Sequence, residues 1–335
     1  MFLLILTGCT VTSERDEAAK NEPDKIKVVA SIFPLADITR EIGGERVEVV
    51  TLLPSGASPH TFEVTPGQMK ELSNARVLIQ VGAGLDDWAT KAVEAANSEI
   101  KVVKVTEGIE LLKYEHHHHD GDAAPHEEHH HDGDEAHQEG QHEGDAEDRP
   151  HHEVEEEHHH AGDPHVWTDP ILVRDNIVPA ITEALCRVDP EGSDVYQEHM
   201  RAYQEKLTEL HDEINDKVSQ FANSRFIAYH SAWNYFARRY GLEEAAVIQE
   251  APGKEPTPTW IAKVVDLAHQ TGVKVIFAEP QFNDQAARVI AAEFGGQVVQ
   301  LDPLGGAGLE GRDSYVSLIR YNLAKMKEAF SGPKV

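Results

Sequence analysis

The chain alternates short apolar runs with segments of helical spacing, and this alternation limits the folds that it can adopt. Residues 26–33 and 47–53 are such runs, and each is followed in turn by a segment whose apolar residues recur every three or four positions. Strands that are separated by helices lie parallel in one sheet, with the helices covering its faces. The same order resumes after residue 222. The sequence therefore predicts an α/β protein of two lobes, each with a parallel, helix-covered sheet.

A stretch of 29 residues without Gly or Pro, 193–221, separates the two halves of the chain. At about 1.5 Å per residue it forms a helix of roughly 40 Å, long enough to join two lobes. We therefore predict an N-terminal lobe at 25–192, one long rigid linking helix at 193–221 and a C-terminal lobe at 222–335. Ligands of open parallel sheets bind beyond the carboxyl ends of the strands, so the cleft between the lobes is the predicted binding site.

The segment 115–163 interrupts the N-terminal lobe and lacks the residues that form a core. It contains 15 of the 21 histidines and 18 acidic residues, whereas Arg149 is its only basic residue and Val154 its only large aliphatic one. We predict a disordered loop in which runs of neutral imidazoles bind metal ions weakly, and a solvated linker is the alternative. The candidate loop ligands are His116, His117, His118, His119, His129, His130, His131, His158, His159 and His160.

The net charge argues against a nucleic-acid partner, and the histidine content favours a metal ion. A formal charge of −29 opposes a polyanionic partner, because nucleic-acid binding needs Lys and Arg to displace counterions from phosphates. With two cysteines in the chain, neither a disulfide framework nor a Cys-based zinc cluster is available. Histidine is the commonest metal ligand, and this chain is rich in it.

The first residues resemble a bacterial lipoprotein signal. An apolar run ends in Leu-Thr-Gly-Cys at Cys9, and a charged stretch without periodicity follows at 10–24. We predict that 1–9 is a signal ending at a lipidated Cys9 and that 10–24 is a flexible tether; an apolar start with a chance cysteine is the alternative. The protein is then expected outside the cytoplasm, in the periplasm or at the cell surface, anchored by lipid to a membrane.

Three histidines and one aspartate fall in the connections at the predicted ligand-binding edge. His60 follows the second predicted strand, His165 lies in an Asp-Pro-His-Val-Trp motif, His230 directly ends a strand, and Asp302 ends the last strand. Three imidazoles and a carboxylate suit a four-coordinate zinc ion with nitrogens at about 2.0–2.1 Å. A single histidine of this kind is more often structural, but their shared position favours a metal site.

These residues lie in motifs that resemble the solute-binding subunits of bacterial zinc and manganese ABC importers, over about residues 25–332. The motifs are Pro-His-Thr-Phe-Glu at 59–63, Val-Gly-Ala-Gly-Leu-Asp-Asp-Trp at 81–88, Asp-Pro-His-Val-Trp-Thr-Asp-Pro at 163–170, Tyr-His-Ser-Ala-Trp at 229–233 and Leu-Asp-Pro-Leu at 301–304. The resemblance implies a binding protein without enzymatic activity, which captures Zn²⁺ outside the cytoplasm and delivers it to a membrane permease.

The resemblance also implies a set of ligands. These are His60, His165 and His230 as zinc ligands, with Asp302 as the fourth ligand or as a nearby carboxylate displaced by water. Manganese members typically carry Glu at the third position, where this chain has His230, and imidazole favours zinc.

Glu63 and Glu279 also follow predicted strands, and their roles leave alternatives open. We interpret Glu63 as a residue that supports a metal ligand and Glu279 as a hydrogen-bonding residue of the cleft. A manganese or iron subunit of the same transporter class is one alternative, and a zinc metallohydrolase with Glu63 or Glu279 as general base is another. A surface adhesion or metal-storage protein is a third. The expected partners are an ABC permease membrane subunit, the lipid membrane and an extracytoplasmic metal chaperone, and we expect a monomer.

Overall fold

The computed structural model describes residues 25–96, 99–113, 162–251 and 253–331. These residues form two α/β lobes with parallel sheets and a long helix, which confirms the predicted fold class. The predicted signal with Cys9, the tether and all ten candidate loop histidines lie outside the described residues. Within the described ranges, no helix combines the length and the apolar character that crossing a membrane requires.

The N-terminal lobe is built from four strands and three helices that alternate along the chain. In chain order they are β1 (Ile26–Ala30), α1 (Phe33–Gly43), β2 (Val47–Thr51), α2 (Pro66–Ser73), β3 (Val77–Gln80), α3 (Asp87–Ala95) and β4 (Lys101–Lys104). The strands pair in parallel in the order β2-β1-β3-β4. All four residues of β3 are buried, because helices cover both faces of the sheet.

A helical run of three parts follows where the sequence predicts one helix at 170–185. It comprises α4 (Pro170–Leu172), a π turn (Val173–Ile177) and α5 (Val178–Val188). Pro179 lacks the N–H group that an α-helix needs inside its length. The π turn ends two residues before this proline, and we attribute the interruption to it.

The C-terminal lobe repeats the topology of the first. Its elements are β5 (Arg225–Ala228), α7 (Asn234–Tyr240), β6 (Glu243–Val247), α8 (Pro258–Thr271), β7 (Val275–Ala278), α9 (Gln285–Phe294), β8 (Gln297–Gln300) and α10 (Tyr315–Phe330). The strand order is β6-β5-β7-β8, again with all neighbouring pairs parallel. In each lobe the strand order therefore changes direction between the first and third strands, which is where such sheets bind ligands.

The long helix between the lobes is α6 (Ser193–Val218), which ends three residues earlier than predicted. It packs against α1 and α5 of the N-terminal half and against α7 and α10 of the C-terminal half. The helix α10 adds a second connection, since the Tyr315 N–H donates to Asp37 Oδ2 at 2.7 Å and the Tyr315 hydroxyl donates to the Trp167 carbonyl at 2.9 Å. One apolar core runs through both lobes, so the walls of the cleft are held by packing as well as by two helices.

Candidate metal site

His60 lies in the loop between β2 and α2, at the carboxyl end of the N-terminal sheet. The pairing of the sheet continues beyond β2, because the Leu52 N–H donates to the Ala30 carbonyl at 2.9 Å. The indole N–H of Trp88 donates to the Pro59 carbonyl at 2.8 Å. Both contacts fix the loop, and His60 is half-buried at its inner side.

His165 immediately precedes a 3₁₀ turn (Val166–Thr168), and the buried Asp163 orients it. Asp163 Oδ1 accepts the backbone N–H of His165 at 2.9 Å and lies 2.7 Å from the ring Nδ1. The side chain of Asn234 donates to Asp163 Oδ2 at 3.2 Å, and the Tyr235 hydroxyl donates to the Asp163 carbonyl at 2.7 Å. Since Asn234 and Tyr235 belong to α7, the C-terminal lobe holds the carboxylate that orients a histidine of the N-terminal lobe.

His230 comes two residues after β5, and Glu279 directly follows β7. These neighbouring strands are the pair at which the order of the C-terminal sheet changes direction. Glu279 Oε1 lies 3.3 Å from His230 Nδ1. Both side chains are buried, so this contact is made away from water.

The three histidines converge, and we call His60, His165 and His230 the histidine triad. One ring nitrogen from each lies within 4.8 Å of the others, and the Nε2 atoms of His60 and His165 are 3.3 Å apart. Tetrahedral zinc with bonds of about 2.0–2.1 Å places two nitrogens about 3.3 Å apart. Within the described ranges, the triad is the one group of three or more His, Cys, Asp or Glu residues whose ligand atoms lie close enough together to share an ion. The donor set therefore fits a zinc ion.

The surroundings of His165 favour its neutral form. Burial lowers the pKa of His165, and the negative charge of Asp163 opposes this effect in part. A neutral imidazole is the form that binds metal. When Nδ1 of a histidine donates to a carboxylate, Nε2 presents its lone pair to the metal. Asp163 occupies that position for His165, and Glu279 does so for His230.

A small cavity lies at the triad, between the loops of the two lobes. Its lining residues are Pro59, His60, His165, Trp167, His230, Glu279, Gln281, Phe282, Pro303 and Leu304. Apolar rings and prolines make up most of the wall apart from the triad. Water is thereby limited to a small volume around the nitrogens.

Asp302 does not belong to the group that the triad forms, although the resemblance implies it as a candidate ligand. Its Oδ1 accepts the backbone N–H groups of Leu304 at 3.0 Å and Gly305 at 2.9 Å. Its Oδ2 accepts from the Arg312 guanidinium at 2.9 Å. Both carboxylate oxygens of Asp302 are therefore engaged in hydrogen bonds, and its role at the site stays a prediction.

The structure places Glu63 and Glu279 in different surroundings. Glu63 is exposed and does not line the cavity, and its role in supporting a triad member stays a prediction. Glu279 lines the cavity and contacts His230. Its role as a hydrogen-bonding residue of the cleft stays a prediction.

Sequence reasoning missed Asp163 and drew the boundary of the acidic segment beyond it. Gly162 and Asp163 are buried parts of the folded lobe, whereas the predicted disordered segment extends to 163. Asp163 can be buried because hydrogen bonds engage both oxygens of its carboxylate, which the burial of a charged group requires. An available signal was the acid two residues before His165, a spacing at which it can reach the imidazole. Gln281 was also missed, and its type and spacing give no signal.

A family model described as zinc-uptake complex component A, periplasmic (ZnuA), matches residues 28–329. The chain belongs to the ZnuA family. The match includes every element from α1 to β8 and all three members of the triad.

Relatives and solved structures agree with this membership. The chain is 27% identical over 330 residues to the high-affinity zinc uptake system protein ZnuA of Bacillus subtilis (strain 168), with 97% of this chain and 94% of that protein covered. It is 26% identical over 324 residues to the manganese-binding lipoprotein MntA of Halalkalibacterium halodurans, with coverage of 96% and 92%. A crystal structure of ZnuA matches with a TM-score of 0.72 at 26% identity, covering 91% of this chain and 99% of that one. This member of the ZnuA family is thus a substrate-binding protein of the zinc and manganese ABC transporter class.

Proposed function

We propose that this chain is the zinc-binding subunit of an ABC importer, which captures Zn²⁺ outside the cytoplasm and delivers it to the membrane permease. The observation that carries the proposal is the convergence of the three triad nitrogens in a cavity between the lobes. Three neutral nitrogens supply most of a tetrahedral zinc site. Capture and release require no chemical step, and we therefore assign no catalytic residue.

The donor set favours zinc over manganese. Imidazole suits zinc, whereas carboxylate, carbonyl and water oxygens suit manganese. Two acids, Asp163 and Glu279, contact the Nδ1 atoms of His165 and His230 and leave the Nε2 atom of each ring for the ion. Manganese is the second candidate, because the MntA relative is named for it.

Zinc titration of the metal-free protein, in competition with a chromogenic chelator, tests the proposal. We expect one tight site, and we expect His60→Ala, His165→Ala and His230→Ala each to weaken it at least about tenfold, or 1.4 kcal/mol. His269→Ala is the matched control, because His269 is exposed near the end of α8. Unchanged tight binding in all three triad variants would refute the assignment.

A substitution that changes the donor set tests the choice of cargo. His230→Glu replaces an imidazole by a carboxylate, which manganese prefers. We expect the ratio of manganese to zinc affinity to rise at least about tenfold in this variant. A ratio that stays at the wild-type value would mean that the triad does not determine selectivity.

The location and the acidic segment complete the proposal. Lipidation at Cys9 would hold the protein beside its permease, and the lipoprotein relative MntA supports such an anchor. The loop histidines would collect ions weakly and raise their concentration near the cleft. Incorporation of a labelled fatty acid by the wild type, and its loss in Cys9→Ser, is the expected result for the anchor.

A further inference from the structure

Three hydrogen bonds join the two ends of the histidine-rich segment next to His165. The described chain stops at residue 113 and resumes at Gly162. The Asp163 N–H donates to the Leu112 carbonyl at 2.7 Å. The Tyr235 hydroxyl of α7 accepts the Leu112 N–H at 3.0 Å and donates to the Asp163 carbonyl at 2.7 Å. We call Leu112, Gly162, Asp163 and Tyr235 the junction.

Gly162 lets the two ends approach more closely than a residue with a side chain would. A Cβ atom at this position would lie 2.6 Å from Leu111 Cβ and 2.8 Å from the Leu112 carbonyl oxygen. Neither of these atoms is the mobile end of a side chain, so the backbone itself would have to move. The junction therefore depends on the glycine as well as on its hydrogen bonds.

The hydroxyl of Tyr235 is the part of the junction that comes from the C-terminal lobe. Its side chain is buried, and burial raises the pKa of Tyr235 to about 12, so the proton stays on the oxygen at neutral pH. The hydroxyl can therefore donate to one end of the segment while it accepts from the other. Without it, the Leu112 N–H and the Asp163 carbonyl would lose their partner in a place that is shielded from water.

The length and charge of the segment explain why its ends need such a link. Residues 114–161 separate the two ends, and the free energy cost of holding the ends of a chain segment together rises with its length. Residues 115–163 carry 18 acidic side chains and one basic one, and the repulsion between like charges adds to this cost. Val154, the one large aliphatic residue of the segment, cannot offset it by forming a core.

Asp163 connects the junction to the triad. Its carbonyl and its N–H belong to the junction, while its Oδ1 accepts the backbone N–H of His165 and contacts the ring Nδ1. Separation of the two ends would take the carboxylate away from His165. The apparent zinc affinity is reduced by the fraction of molecules in which the binding-competent arrangement is formed, so it depends on the junction.

We propose that Tyr235 is a positioning residue for zinc binding, which holds the two ends of the histidine-rich segment together and thereby keeps Asp163 on His165. Tyr235 does not line the metal cavity, so it acts through the junction and not on the ion. This inference rests on the proposed function, because its main readout is the zinc held by the triad. It extends that function by explaining how a long acidic segment is carried beside the tight site without disturbing it.

Shortening the segment distinguishes this role from ordinary core packing. Zinc affinity is measured by chelator competition for the wild type and Tyr235→Phe, each with and without deletion of residues 115–161. In the shortened chain, residues 113–114 connect Leu112 directly to Gly162. The chain itself then holds the two ends together, and the hydroxyl is no longer needed for this purpose.

Tyr240→Phe is the matched control for the loss of a buried hydroxyl. Tyr240 is buried on the same helix, α7, but its hydroxyl contacts His211 Nδ1 on α6 at 3.1 Å and does not reach the junction. The variant is measured in both chain lengths. Any effect that it shows reports the general cost of removing a phenol oxygen from this helix.

We expect Tyr235→Phe to lower the zinc affinity about three- to tenfold in the full-length chain and less than about twofold in the shortened chain. Tyr240→Phe should change it less than about twofold in both. An equal loss in the two chain lengths overturns the proposal, because a packing role does not depend on the segment. Unchanged affinity of full-length Tyr235→Phe overturns it too, and so does a shortened wild type without tight zinc, in which joined ends would fail to position Asp163.

Hydrogen exchange of the metal-free proteins separates this proposal from the proposed function. The backbone amides of residues 109–113 and 162–166 should exchange faster in full-length Tyr235→Phe than in the wild type, whether or not the triad binds zinc. A wild type without triad-dependent zinc refutes the proposed function. Unchanged exchange in the variant refutes the role of Tyr235 at the junction.

A second variant covers the case in which Tyr235→Phe does not fold, which the midpoint of thermal unfolding would show. Gly162→Ala disturbs the same junction by steric conflict with Leu111 and Leu112. Its zinc affinity should fall at least about threefold in the full-length chain. A folded Gly162→Ala protein with the zinc affinity of the wild type overturns the proposal.

Discussion

At the scale of single residues, two buried carboxylates contact the imidazole rings of the candidate metal site. Asp163 accepts from the backbone of His165 and contacts its ring, and Glu279 contacts the ring of His230. Such partners fix the tautomer and the orientation of the imidazole and make it a better ligand. The sequence contains both acids, but it does not reveal which ring nitrogen each one reaches, because that depends on contacts between the lobes.

Asp163→Asn should weaken zinc binding by about 10- to 100-fold, the effect typical of lost outer partners of metal ligands. The amide is isosteric, but it lacks the charge that favours a proton on Nδ1 and a lone pair on Nε2. Competition titration with a chelator measures the change. Asp175→Asn is the control, since Asp175 is half exposed and pairs with Arg174. An equal loss in both variants would point to a general effect of charge and would contradict the orienting role of Asp163.

Glu244 on β6 gives a residue-scale prediction for stability. Its Oε1 accepts from the Ser231 hydroxyl at 2.8 Å, while its Oε2 is buried and has no partner within the described ranges. Burial raises the pKa of Glu244 from 4.5 to about 8, although the hydrogen bond from Ser231 opposes the shift. Because this pKa is higher in the folded than in the unfolded chain, its titration stabilises the fold as pH falls from about 8 towards 4.5, and the stabilisation is lost as pH rises through about 8.

Glu244→Gln removes this titration and isolates it from all other groups. As pH falls, the unfolding free energy of the wild type should rise relative to that of the variant, by at most about 1.4 kcal/mol per pH unit. Denaturant unfolding of the metal-free proteins at pH 8, 7 and 6 measures it. A difference that does not change with pH would show that Glu244 titrates at an ordinary pKa.

At the scale of elements, local sequence predicts order and type better than boundaries. The apolar spacing of residues 315–330 predicts a helix, and α10 has these bounds because Ser314 forms a capping box at its start. The end of α6 differs because the sequence has no stop signal there. Phe221 leaves the helix, and its ring lies 5.3 Å from that of Phe330. A tertiary contact of this kind has no local signature.

The acidic segment gives a prediction with two deletions that differ by two residues. Deletion of 115–161 should leave the fold and the tight site unchanged and remove weaker zinc sites, since the segment has no core-forming residues apart from Val154. Deletion of 115–163 also removes Gly162 and Asp163, and it should weaken the tight site by about tenfold or more. Calorimetric titration with zinc counts both classes of site. Loss of the tight site in the shorter deletion would mean that the loop supplies a ligand.

At the scale of the whole molecule, the site exists only where the two lobes meet. His60 and His165 come from the N-terminal lobe, His230 comes from the C-terminal lobe, and the contact between Asp163 and Asn234 joins the two. The cleft could be predicted from sequence, because parallel strands place their carboxyl ends along one edge. The roles of the neighbouring oxygens could not, because they depend on which donors surround each oxygen once the chain has folded.

Zinc-edge anomalous diffraction from a zinc-loaded crystal tests the convergence of the triad most directly. We predict one strong peak about 2.0–2.1 Å from a ring nitrogen of each of His60, His165 and His230. A peak outside this cavity, or a zinc ion bound by Asp302 in place of one of the three histidines, would contradict the assignment.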